Sequence, residues 1–100
     1  MSLGGKAIIK ESGEFMRFFQ IIWDDHDDPL GNVQHVADHG LTIDEVEHVL
    51  THAVAFGVSD SSGRPCCFGY TPSGEHIIVV FEEPVAGVAY PVTSYHVPER

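Results

Sequence analysis

Positive charge is what this chain has least of. Lys6, Lys10, Arg17, Arg64 and Arg100 are its only bases, set against 15 acids for a formal net charge of −10. Nonspecific nucleic-acid binding is driven by neutralising phosphates with Lys and Arg, so a long RNA or DNA track is excluded and any RNA contact must be local. The same acidity disfavours docking on anionic membranes. No apolar run approaches the ~20 residues that a bilayer-spanning helix needs. Cysteine is scarce too: Cys66 and Cys67 are the only two. As strand neighbours they point to opposite faces, poorly placed to bridge, and they read as reduced thiols packed as small hydrophobes. Without a disulfide framework or a charged-then-apolar signal segment, a reducing cytoplasm is the expected location. A glycine-rich nucleotide loop, a Gly-x-Ser-x-Gly elbow and the His-Glu-x-x-His zinc pattern are all missing, and no cofactor is expected.

What is present is a well-punctuated α+β pattern in a chain long enough for one modest core and no second domain. The stretch His39-Gly40-Leu41-Thr42-Ile43-Asp44-Glu45-Val46 sets a helix stop against a helix start. Gly40 can close a helix in the left-handed conformation, and Thr42 with Glu45 has the spacing of a capping box. Beyond it, Ile43, Val46, Val49, Leu50 and Ala53 recur at three- and four-residue steps, the stripe of a helix lying on a core. Upstream, Phe18 to Trp23 is aromatic and β-branched, hence a strand, and the acid run from Asp24 to Asp28 ends it. Asp28-Pro29 reads as N-cap and first position of another helix that runs to His39 with Leu30, Val33, Val36 and Ala37 inward.

After the helices, Phe56 to Val58 is a short strand candidate and Ser59 to Gly63 a turn cluster. Pro65 to Tyr70, Glu75 to Glu83 and Ala89 to Val97 are longer strand candidates, joined by turns at 71–74 and 83–87. Ile77 to Phe81 is apolar on both faces and belongs at the centre of the sheet, with cover on each side. Pro91, lacking an amide hydrogen, suits an edge or the start of its strand. The expected fold is thus α+β: a two-helix hairpin packed on an antiparallel sheet of about four strands, order β-α-α-β-β-β(-β), with Trp23, Val46, Leu50, Val79 and Phe81 in the core. Residues 17–97 form this domain. Residues 1–16, opening on Met1-Ser2-Leu3-Gly4-Gly5, are expected as a flexible leader or tag-like segment.

Seven histidines offer the obvious chemistry, and His35/His39 and His48/His52 are i,i+4 pairs able to chelate. A zinc site needs three or four ligands, so these are solvated or core-edge histidines in the simpler reading and no metal site is assigned. The acids from Asp24 to Asp28 lack calcium-loop spacing and suit a solvated turn ahead of a helix. Glu82 and Glu83 are strand neighbours facing opposite ways, poor geometry for a catalytic pair. Arg64, alone between Arg17 and Arg100, needs a partner: a nearby carboxylate, or the phosphate or carboxylate of a ligand.

Trp23-Asp24 ending a first strand, then His39-Gly40-Leu41-Thr42 with Glu45-Val46, resembles the BrnT family of bacterial type II toxins. Gly63-Arg64-Pro65, Phe68-Gly69, Ile78 to Glu82 and Val92-Thr93-Ser94-Tyr95 look like that family's later strands, so the resemblance runs from Trp23 to His96. It implies a RelE-related ribonuclease fold and a small DNA-binding antitoxin as partner. It also implies that His39, Arg64 and the strand around Tyr95 face the active surface: His39 or His35 as acid or base, Arg64 on the scissile phosphate, Tyr95 as hydrogen-bond donor. Two departures weigh against activity. The family's closing Arg-Ile-Ile-Ser-Ala-Arg stands here as Tyr90 to Tyr95 without either arginine, and Asp38 replaces the lysine before the corner histidine. Metal-free RNA cleavage needs a base, an acid and cations on the pentavalent phosphate. The sequence therefore leads to a noncatalytic or weakly active relative that binds a partner protein, with an active endoribonuclease as the alternative. A homo-oligomer is left open.

Overall fold

The computed structural model describes residues 17–99; the expected leader, residues 1–16, lies outside them. The elements follow one another as β1 (Gln20–Ile21), α1 (Asn32–Asp38), α2 (Ile43–Thr51), β2 (Ala55–Val58), β3 (Pro65–Tyr70), β4 (His76–Val85) and β5 (Val88–His96). This is the expected α+β order, on a sheet of five strands arranged β1-β5-β4-β3-β2. Three pairings are antiparallel, and β1 runs parallel to β5 through Gln20 opposite Val88 and Ile21 opposite Ala89. Among the described residues no helix is long and apolar enough to cross a membrane.

The helix corner forms as its residues dictate. Gly40 takes φ +80°, and its N–H donates to the Ala37 carbonyl. Thr42 Oγ1 accepts from the Glu45 N–H at 3.2 Å while Glu45 Oε1 accepts from the Thr42 N–H at 3.0 Å, the reciprocal pair that opens α2. Val46, Val49 and Leu50 then bury against Ile77, Val79 and Phe81 of β4.

The start of α1 departs from expectation. Asp28 does not cap it: its carboxylate accepts from the Leu30 N–H two residues on, closing a local turn, and the helix begins only at Asn32. Leu30 and Ala37, expected inward, are exposed. The cap comes from far back in the chain, where Asp24 Oδ2 accepts from the Asn32 N–H at 2.9 Å and Asn32 Oδ1 accepts from the Asp24 N–H at 2.9 Å. The buried Asn32 carboxamide also donates to the carbonyls of Ile22 and Pro91, at 3.2 and 2.8 Å. Gly31 is required between them, since a Cβ there would stand 2.7 Å from that of Asp24. Trp23 is half-buried rather than a core centre, its indole N–H donating to Glu47 on α2. Trp23-Asp24 thus ties the end of β1 to both helices.

The first strand is also shorter than its composition suggests. Phe18 is buried edge-on to Phe81, whereas Phe19 is exposed, and ladder pairing is confined to Gln20–Ile21. Pro91 lies in a strand with neighbours on both sides, but at a register shift between Val80 and Phe81 and beyond the reach of β1. No neighbour needs its missing N–H there. The central place of β4 is as expected, although its two faces are covered differently. Ile77, Val79 and Phe81 lie under the helices, while Ile78 and Val80 pack with Cys66 beneath Phe68, Tyr95 and Val97. Among the described residues no second layer lies over this open face.

Candidate functional site

Three of the four expected site residues come together. The His35 and His39 rings stack with centroids 6.0 Å apart, and His39 stands 5.8 Å from the Tyr95 ring at 51°. His35 lies in α1 and His39 caps its C-terminus, one turn apart on one face. Tyr95 pairs with Ile78 and shares the open face. The contact forms because β1 borders only Val88 and Ala89, so among the described residues the far half of β5 is a free edge around which the end of α1 can reach. Both imidazoles are exposed and Tyr95 is half-buried.

Arg64 is held elsewhere. It precedes β3, and its Nε donates to Glu82 Oε2 at 2.9 Å with both side chains roughly half exposed. The nearby-carboxylate reading of this arginine is the one realised. Glu82 lies on the open face two positions along from Val80, so Arg64 and Tyr95 share that face. No hydrogen bond or ion pair among the described residues links Arg64 to His35, His39 or Tyr95. Arg17, the other described cation, pairs with Glu83 on the helix side at 2.8 Å. Among the described residues, therefore, no free cation stands beside the histidine–tyrosine row.

The second histidine pair stacks more closely, His48 on His52 with centroids 4.3 Å apart, and His52 Nδ1 is 3.0 Å from the His48 carbonyl. Among the described residues no three His, Cys, Asp or Glu side chains are grouped to hold a metal ion. Asp24 and Asp28, in the acid run, bond to Tyr90, Asn32 and Leu30 rather than to a shared centre. The cysteines are free and buried. Burial, with the neighbouring Cys66 adding to it, pushes the Cys67 thiol up to about 12 against a weaker pull from Arg17. Burial and then Asp60 also raise the Cys66 thiol, so neither is a ready nucleophile.

Sequence reasoning missed two features. One is the Asp24–Asn32–Tyr90 network, in which the Tyr90 hydroxyl donates to Asp24 Oδ2 at 2.7 Å. That hydrogen bond, with the Asn32 N–H, holds the Asp24 carboxyl below its ordinary value, and the same bond pushes the Tyr90 phenol up to about 12. The only signal was Trp23-Asp24 itself. The other is the β2 edge, where Ala55, Phe56, Gly57 and Val58 are all exposed. It was visible as an apolar strand, but not as the last one in the sheet.

No protein-family model, no curated protein and no solved structure matches this chain.

Proposed function

We propose that this domain is a noncatalytic, BrnT-like binding module that takes a partner protein on the open side of its sheet. The observation that carries this reading is the Arg64–Glu82 ion pair. It occupies the one arginine that the resemblance assigns to a phosphate, and it does so in a chain of net charge −10. With no free cation of the described residues at the reacting phosphate, an imidazole and a phenol lack the electrostatic stabilisation that phosphoryl chemistry depends on. The open face offers instead what a protein partner uses: aromatic rings around a small apolar floor, with polar groups at the rim. A cytoplasmic location belongs to the same reading and is supported by two buried free thiols.

The endoribonuclease reading has one observation in its favour, the row His35, His39 and Tyr95, which sets potential proton donors and acceptors side by side. Induction of the chain in bacteria separates the two. The expected result is normal growth and intact bulk RNA, with a stoichiometric protein complex on purification that Arg64→Ala leaves unchanged. Growth arrest with RNA cleavage, both relieved by Arg64→Ala, would overturn the binding-module reading in favour of the nuclease.

A further inference from the structure

The two edges of the sheet are unequal. At one, β1 is two residues long and α1 reaches the far half of β5 through His39. At the other, β2 is four residues of backbone with no further strand of the described residues beside it; the charged side chain against it, Arg17, lies over the Phe56 ring at 4.8 Å and pairs with Glu83 on the helix side, away from the open face. Natural sheets block such edges with charge, proline or a bulge because the bare backbone templates another strand, and Ala55-Phe56-Gly57-Val58 carries none of these. Hydrogen-bonded pairs alternate along an antiparallel ladder, and the Ser59 N–H donates to the Arg64 carbonyl at 2.8 Å. Gly57 with Cys66 and Ala55 with Phe68 are therefore the inward-bonded pairs. Phe56 and Val58 turn their N–H and C=O groups outward.

Register also says what lies in front of that edge. Ala55 and Gly57 share the open face with Phe68 and Cys66. A recess of about 600 Å³ lies beside Ala55, walled by Val54, Phe68, His76, Val97 and Pro98. A second, of about 320 Å³, lies over Cys66 and is rimmed by Asp60, Ser61, Ile78 and Tyr95; the missing side chain of Gly57 leaves its strand side low. The first is apolar. The second ends at Asp60, whose carboxylate has no ion-pair partner among the described residues.

We propose that the outer edge of β2 receives an extended basic peptide segment as a sixth strand. One apolar side chain sits in the recess at Ala55 and Phe68, and an arginine or lysine two residues away reaches Asp60 and Tyr95. This rests on the partner-binding reading and adds its mode. Strand addition draws affinity from main-chain bonds and specificity from alternate side chains, and the two-residue spacing of Ala55 and Gly57 matches that alternation. Charge selects the occupant: a second copy of this chain would bring ten more negative charges to the edge, whereas a basic segment is attracted to it.

The probe is a capped synthetic peptide, lysine-threonine-leucine-threonine-arginine-threonine-lysine, with its reversed sequence as a second arm, titrated against the whole chain by calorimetry and amide hydrogen exchange. The expected result is binding by one arm with new protection of the Phe56 and Val58 amides. Phe56→Pro removes an outward N–H that β3 does not use, together with the ring under Arg17; measured against Phe56→Ala, which loses the ring alone, it should weaken binding at least ~10-fold, a loss matching one net backbone bond. Asp60→Asn should weaken it about 5-fold, as for an ionic hydrogen bond made neutral. A peptide N-methylated on its β2-facing amides should lose binding to the unaltered protein, which keeps the test sound if Phe56→Pro unfolds. Failure of both arms to bind overturns the strand-addition mode, as does binding that moves Tyr95 but leaves the Phe56 and Val58 amides unprotected. So does a dimer of the free chain that Phe56→Pro dissociates. None of these touches the partner-binding reading, which falls only to RNA cleavage in the induction experiment.

Discussion

The two faces of β4 are built from nearly the same residues and do different things. On one, Ile77, Val79 and Phe81 are closed over by Val36, Val46, Val49 and Leu50 from two helices. On the other, Ile78 and Val80 are hidden only by the side chains of their neighbours, Phe68, Tyr95 and Val97. Burial of the floor residues is almost equal, with Phe81 at 0% and Val80 at 4% exposure. A residue's own burial therefore does not show whether a face is finished. What distinguishes them is the cover: whole helices anchored by caps on one side, and a single layer of rings bordering two open recesses on the other.

That contrast makes a measurable claim about stability. Leu50→Ala removes a side chain locked between two layers and should destabilise the domain by ~3–5 kcal/mol, whereas Ile78→Ala, whose ring cover can settle into the gap, should fall near the low end of such changes at ~2 kcal/mol. Chemical denaturation of the two variants checks the order, and equal losses would mean that the open face is as rigidly packed as the helix face.

The junction on the helix side sharpens the comparison further. Asn32→Ala leaves the Ile22 and Pro91 carbonyls and the Asp24 N–H without their partner. Buried groups stripped in this way point to a loss of about 2–3 kcal/mol, read by the same denaturation. A loss within error would mean that α1 docks without its clasp.

The smallest effect is in the pH profile. Asp24 is held below its ordinary 3.8 by the Tyr90 hydroxyl first and the Asn32 N–H second. Its contribution is therefore present above the aspartate range and is lost as pH falls through its folded value, because the unfolded chain then binds more protons. Tyr90 is raised from 10 to about 12, so its contribution is present below pH 10 and is lost as pH rises from 10 toward 12. Tyr90→Phe should flatten both slopes together in melting curves taken across pH. If only one flank changes, the Tyr90–Asp24 hydrogen bond is not their common cause.

What could be read in advance depended on how far apart the interacting residues lie. The capping box spans three residues and Gly40 adjoins the helix that it ends, so the corner at Thr42 was legible to the residue. Pro65–Tyr70 and the turn at 71–74 were equally local, the Gly74 N–H donating to the Thr71 carbonyl. The start of α1 was misread because Asp28-Pro29 carries a good local signal that a competing turn uses up, and the real cap, Asp24, reaches across eight residues. The site was half legible. His35 and His39 fall together by helical spacing, and Arg64, alone between Arg17 and Arg100, needs a partner on sequence grounds. Choosing Glu82, 18 residues on, took the β3–β4 register.

By itself the sequence determined the α+β class, the order of elements, the helix corner, the double-sided apolar strand at the sheet's centre and an acidity that rules out an extended phosphate track. Each of these depends on residue type, local spacing or a sum over the chain, and none needs to know what lies opposite. Only the tertiary structure decided that β1 runs parallel to β5, that Asp24 and Asn32 clasp, that Tyr95 meets His39 at the edge of β5, that Glu82 occupies Arg64, and that β2 is the last strand of the described sheet. Those are pairings between segments separated by up to about 70 residues, and their partners are chosen by the layering of helices on a sheet and by strand register, neither of which is written in any one stretch of chain.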